Sequence, residues 1–281
     1  MFNNQHDYTF VMLNFLLFSY IYQMILNHIS ELTSLPKKII SLVPSQTELL
    51  HYLQLENETI GITKFCIHPK EWHDNKIKIG GTKALNIEKI MEMKPDLIIA
   101  NKEENVKDQV EELAAHFPVW VTDVNTLEDA YLMINEIGIL TGKETIANDL
   151  NEKIKSSFSN LEQENNQALR TAYLIWKNPY MTIGGDTFIN DLLKKSGFKN
   201  VFENQKRYPE ITVKQLQDSK CELILLSSEP YPFQEKHIHE LKFALPHCKI
   251  ILADGEMFSW YGSRLLQSSN YFKNLQIFAD N

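Results

Sequence analysis

LNIEKIMEMKPDLIIA at residues 85–100 and ITVKQLQDSKCELILL at residues 211–226 align without a gap. Each reads as an amphipathic helix that runs through a lysine and then an acidic residue into a short apolar strand. PVWVTD at 118–123 matches KIILAD at 249–254 in the same relative order. Two unit pairs repeated in register imply two related lobes rather than one continuous sheet.

Working outward, short apolar runs alternate with helical patterns from Lys37 onward, the mark of an α/β fold with a parallel sheet. The runs fall at 39–43, 97–100 and 119–121, then at 172–176, 223–226 and 250–252. Residues 143–178 hold neither Gly nor Pro, and Ile146, Leu150, Ile154, Phe158 and Leu161 form one helical stripe. This spacing predicts a continuous helix over 143–167. The expected organisation is a hydrophobic N-terminal segment (1–35), an N-terminal α/β lobe (36–142), a connecting helix (143–168) and a C-terminal α/β lobe (169–281). A helical joint is semi-rigid, so large hinge closure is not expected.

The segment at 9–26, TFVMLNFLLFSYIYQMIL, has the apolar length of a signal core, but no basic residue precedes Lys37. The compartment therefore stays open between export and the cytoplasm, and either a mature N-terminus at or near Met24 or an uncleaved, poorly exported product is expected.

With 281 residues, 43% hydrophobic and 23% charged, the chain has an ordinary globular composition. A net charge of −8 without a basic cluster excludes a nucleic-acid partner. The three cysteines, Cys66, Cys221 and Cys248, form no CxxC pair and read as buried free thiols. His237 and His239 stand two apart and cannot share a helix face, and His68 and His73 lack companions at a ligand spacing, so no protein metal site is expected. Glycine-rich nucleotide loops, GxSxG and HExxH are absent, and the loop carboxylates are scattered, so no enzyme is expected. Gly184-Gly185 reads as a tight turn. Ser45-Gln46-Thr47-Glu48 fits a capping box with Ser45 as cap.

Ligands of open α/β sheets sit beyond the carboxyl ends of the strands. In the second half these ends are rich in aromatics: Tyr180, Tyr231, Phe233, Phe258, Trp260 and Tyr261. Such loops favour a large, partly apolar ligand in the cleft between two lobes.

IISLVPSQTELL (39–50), TIGITKFCIHP (59–69), GGTKALNIEKIMEMKPDLIIA (80–100), GGDTFINDLLKKSGFKNVF (184–202) and DGEMFSWYGSR (254–264), in this order, resemble the binding proteins of ABC importers for iron chelates and vitamin B12. The resemblance runs from about residue 36 onward, and the vitamin B12 branch is the nearest. It implies two Rossmann-like lobes joined by a single long backbone helix, the class III periplasmic-binding-protein fold of the helical-backbone metal receptors. It also implies non-covalent capture of a corrinoid, with haem or a ferric chelate as the alternative, and no permanently bound cofactor. A monomer that docks on an ABC permease is the implied assembly; a cytoplasmic chelate-handling protein without a transporter is the other reading.

Residue by residue, the resemblance places Phe65 on a cleft tyrosine, Tyr208 on a cleft tryptophan and Lys83 on another tryptophan. Glu256, Met257, Phe258, Ser259 and Trp260 match the pocket loop, with Ser259 and Trp260 in place of a Glu-Arg pair. Tyr180 and Met181 at a strand end, and Arg264 beyond the loop, complete the implied ligand set; the Lys83 and Arg264 charges would suit ligand carboxylates. Phe65, Tyr208, Phe258 and Trp260 are expected to face one shared cleft. For docking, the resemblance places Glu88 on the first of two surface carboxylates. Lys214 reverses the charge of the second, for which Glu210 would substitute.

Overall fold

The computed structural model describes residues 24–159, 161 and 168–280. The hydrophobic stretch up to residue 23 lies outside the described residues. The chain divides into two compact units, one of residues through Asp123 with 134–147, the other of 124–133 with 148 onward.

The first unit comprises β1 (Ile39–Ser41), α1 (Pro44–Tyr52), β2 (Thr59–Ile62), α2 (Lys70–Asn75), β3 (Ile77–Lys78), β4 (Gly80–Gly81), β5 (Ala84–Leu85), α3 (Ile87–Met93), β6 (Leu97–Asn101), α4 (Lys107–Ala114) and β7 (Val119–Thr122). Five strands form one parallel sheet in the order β3-β2-β1-β6-β7. β1 and β6 are buried along their whole length, which is why they read as unbroken apolar runs. β4 and β5 make a separate hairpin. Ile25 bridges Val119, so a residue of the N-terminal segment (1–35) joins this sheet edge.

The capping box does not form. Helix α1 starts at Pro44, with Val43 at the cap position and no side-chain cap. Proline's fixed φ suits the first helical turn, so the helix starts two residues earlier and Ser45 is buried within it. Thr47 instead turns its hydroxyl back onto the Val43 carbonyl, at 2.9 Å.

Two helices, α5 (Leu127–Leu140) and α6 (Glu144–Ser159), have residues in both units. α6 lies where the apolar stripe placed a helix. Leu150, Ile154 and Phe158 are buried, while Asp149–Lys153 and Glu152–Lys155 pairs line the solvated side at 2.6 and 3.0 Å. Residues 160 and 162–167 of the expected helix lie outside the described residues.

The second unit continues with β8 (Leu169–Trp176), β9 (Tyr180–Thr182), α7 (Phe188–Lys195), β10 (Phe198–Asn200), β11 (Glu210–Ile211), α8 (Val213–Asp218), β12 (Leu223–Ser227), α9 (Glu235–Ala244), β13 (Lys249–Ala253), α10 (Glu256–Ser259) and α11 (Leu265–Asp280). Its sheet runs β11-β9-β8-β12-β13, with β10 beside the start of β8. β8, β10, β12 and β13 are parallel; β9 and β11 are antiparallel additions at one edge.

The repeat seen in the sequence is physical. Asn86 caps α3 and Thr212 caps α8, each side chain accepting from the backbone N–H three residues on. Both helices end on a left-handed lysine, Lys94 at φ 49° and Lys220 at φ 51°. The acidic residue that follows closes the base of the next strand. Asp96 Oδ2 accepts the Lys37 N–H at 2.9 Å, and Glu222 Oε2 accepts the Arg170 N–H at 2.9 Å. The strands then pair β1-β6-β7 in one unit and β8-β12-β13 in the other.

Candidate ligand site

In the second unit the loop after β12 and the loop after β13 are adjacent because their strands are. Gly255 lets them touch: a Cβ there would strike Glu229 Cγ and Ser227 Oγ. Its N–H donates to Ser228 Oγ at 2.9 Å. Glu229 is the anchor of the pair, its Oε1 accepting from Ser259 Oγ at 2.6 Å and from Trp260 Nε1 at 3.1 Å. Arg264 lies over the Trp260 ring at 5.1 Å and pairs with Glu256 at 3.3 Å. Glu256, Arg264, Trp260 and Glu229 thus form one continuous chain of contacts. Three carboxylates (Glu229, Asp254, Glu256) stand at this end of the sheet, and one of them neutralises Arg264.

This arrangement corrects the expected site in three places. Phe258 faces the core, not a ligand: it is fully buried, 4.6 Å from Phe272 and 5.0 Å from Tyr173. On the short helix α10 the third residue points inward, so aromatic character at this position serves packing. Trp260 is 7% exposed, with its N–H and one face already engaged. Arg264 is buried and paired, so its charge is spent within the protein. Glu256, Met257 and Ser259 keep partial exposure.

Tyr180 and Met181 lie half-buried on β9. Partial burial pushes the Tyr180 phenol above its ordinary value. Tyr208 is half-buried under the Arg207 guanidinium, at 5.5 Å. Arg207 also lines a polar recess of about 360 Å³ with Asp186, Asp191 and Lys194; none of the expected ligand residues lines it.

In the first unit Phe65 is 51% exposed and covers the hairpin at Gly81, with the Lys64 ammonium 5.1 Å from its ring. Lys83 is exposed on that hairpin and donates to the Glu103 carbonyl. Glu88 is exposed in the first turn of α3, and Glu210 is exposed on β11. Lys214 occupies the place in α8 that Glu88 occupies in α3 and pairs with Asp218.

Two residues escaped the sequence reading. Trp176 ends β8 and is 40% exposed, edge-on to Tyr231 at 5.6 Å, which in turn meets Phe233 at 4.8 Å. Residues 171–175 are buried on both faces of the strand, and Trp176 is exposed because it stands at the strand's end. Glu229 was the second, an acid between Ser-Ser and Pro at a strand end. Among the described residues no cluster of three His, Cys, Asp or Glu could hold a metal, and no helix is long and apolar enough to cross a membrane.

The family described as periplasmic binding protein matches residues 39–242, nearly three quarters of the chain. An uncharacterised ABC transporter substrate-binding lipoprotein of Bacillus subtilis is 29% identical over 187 residues, covering 63% of this chain but only 59% of the relative's length. A vitamin B12-binding protein of Pectobacterium carotovorum is 24% identical over 240 residues, 83% of this chain and 86% of its own. The crystal structure of the periplasmic vitamin B12-binding protein of Vibrio cholerae superposes with a TM-score of 0.73 at 19% identity, covering 88% of this chain and 98% of that one. The periplasmic haem-binding protein of Roseiflexus gives a TM-score of 0.77 at 16% identity, covering 87% and 99%. These likenesses establish the class III fold. The match over residues 39–242 places this chain in the periplasmic binding protein family, a family of ligand-binding proteins and not of enzymes.

Proposed function

We propose that the chain captures cobalamin or a related corrinoid and presents it to an ABC permease. The observation that carries this reading is the charge balance at the strand ends of the second unit. Arg264 is neutralised by Glu256, while Glu229 and Asp254 add negative charge. Such a rim disfavours haem propionates or an anionic ferric chelate, which call for unpaired cations. A corrinoid, with peripheral amides and a cationic metal centre, suits carboxylate and hydroxyl acceptors. The vitamin B12-binding relatives support the same choice. The exposed or half-exposed side chains that the second unit would offer a ligand are Trp176, Tyr180, Met181 and Tyr208; Phe65 and Lys83 are those that the first unit would offer. Met257 and Ser259 are the members of the pocket loop left to face a ligand.

Titration of the purified chain with cyanocobalamin, haemin and a ferric siderophore, followed by absorbance and calorimetry, tests the reading. Cobalamin is expected to bind at least tenfold tighter than haemin. Haemin retained through gel filtration with no cobalamin bound overturns it. Docking would use Glu88 and Glu210. Reversing Glu88 (Glu88→Lys) should reduce corrinoid uptake by cells while leaving binding in solution unchanged; unchanged uptake removes Glu88 from the docking surface.

A further inference from the structure

Cys221 and Cys248 stand 27 residues apart in the chain, yet their Sγ atoms are 3.7 Å apart. Cys221 follows the left-handed Lys220 at the start of β12, and Cys248 precedes β13. Both pack against the core of the second unit, Cys248 nearly fully buried and Cys221 half-buried. The internal repeat puts Pro95 in the place of Cys221 and Phe117 in the place of Cys248. The fold is therefore built at these positions without sulfur, and packing alone does not call for two thiols.

We propose that Cys221 and Cys248 are an oxidative modification site, closed to an intrachain disulfide by exchange with a low-molecular-weight or protein disulfide. A disulfide bond of about 2.05 Å requires the two sulfurs to approach by about 1.7 Å, within reach of side-chain rotation. Cys221, the more exposed, attacks one sulfur of the oxidant; a mixed disulfide forms and one thiolate leaves. Cys248 then attacks Cys221 Sγ, forming the protein disulfide and expelling the second thiolate. Two protein thiols and one disulfide become one protein disulfide and two small thiols. The electrostatics agree with this order. The hydrogen bond from Cys248 brings the Cys221 thiol down to about 7, against its burial and with help from Arg170. The Cys248 thiol is pushed up by that same contact, by burial and by Glu222, against the pull of Lys242. Cys66 is the contrast: its thiol lies 3.1 Å from the hydroxyls of Thr47 and Thr63, and burial pushes it up. The clasp would tie together the starts of the two strands whose far ends carry Glu229 and Gly255, and it does not depend on which ligand binds.

The intact chain is incubated with oxidised glutathione near pH 8, quenched in acid, unfolded, alkylated and mapped by mass spectrometry. Two of the three thiols should be lost, with a Cys221–Cys248 peptide recovered and Cys66 alkylated. Tm should rise by about 5–10 °C and return on reduction. Cys248→Ser should trap one glutathionyl group on Cys221, whereas Cys221→Ser should leave Cys248 unmodified. Three free thiols after oxidation, a bridge that involves Cys66, or an intermolecular dimer as main product overturns the proposal. The mapping uses the unaltered chain, so it decides the matter even if a variant fails to fold.

Discussion

Replacing Phe258 by alanine separates a core role from a ligand contact more sharply than any other substitution in the pocket loop. The ring is fully buried and meets Tyr173, Phe272 and Tyr271 at centroid distances of 5.0, 4.6 and 6.2 Å. Removing a buried phenyl group costs about 3–5 kcal/mol, the transfer of the ring plus the cavity left behind. At about 2–4 °C per kcal/mol for a unit of this size, Tm should fall by about 6–20 °C. The urea midpoint should fall by about 2 M at unchanged m, for m near ~2 kcal/mol/M. Phe258→Leu keeps most of the volume and should cost only about 1–2 kcal/mol. Corrinoid affinity of the Leu variant, measured well below its Tm, should stay within about twofold of the parent, because the ring does not reach the surface. A Tm that moves by less than about 2 °C, together with affinity down tenfold or more, would refute the core assignment.

Glu229→Ala removes the carboxylate that accepts the buried Trp260 N–H, while the Ser259 hydroxyl keeps the Gly255 carbonyl, so stability should fall by about 1–3 kcal/mol. Glu229→Gln keeps an acceptor oxygen and should recover most of that loss in the same denaturation assay; equal losses would show that the charge, not the hydrogen bonds, matters. Trp176→Ala removes a ring that is 40% exposed, so Tm should shift by less than about 3 °C while ligand affinity falls at least fivefold if the ring stacks on the ligand. Retained affinity removes Trp176 from the site. His237 accepts the Gln234 N–H on Nδ1, and burial, with Lys177 and Lys236 nearby, holds its pKa below the ordinary imidazole value. The unfolded chain then takes up the proton first, so stability should decline as pH falls through about 6.5. His237→Gln should flatten that part of the urea-midpoint profile between about pH 7.5 and 5.5; an unchanged slope assigns it to other groups.

The two-unit α/β fold was legible because its signals are local. Apolar runs, a capped amphipathic helix and a lysine before an acid each depend on neighbours a few residues away, and the ungapped alignment of 85–100 with 211–226 shows the same solution used twice. Even the left-handed Lys94 and Lys220 sit at matching places in that alignment. The candidate site was legible only as a neighbourhood. Strand ends point to its loops, but which aromatic turns inward is not written there. Phe258 on the short helix α10 and Trp260 just past its end stand two residues apart, and both turn to the protein interior for different reasons. Phe258 packs on Tyr173 and Phe272, whereas Trp260 is claimed by Glu229, 31 positions away, and by Arg264. The Cys221–Cys248 approach has the same origin. The Trp260–Glu229 and Cys221–Cys248 contacts exist because β12 and β13 are neighbours in a parallel sheet, and the register of non-local strand pairing is settled by the burial of whole faces. Local sequence determined which elements form and in what order; the tertiary structure alone decided which side chains are consumed in holding them together and which remain for a ligand.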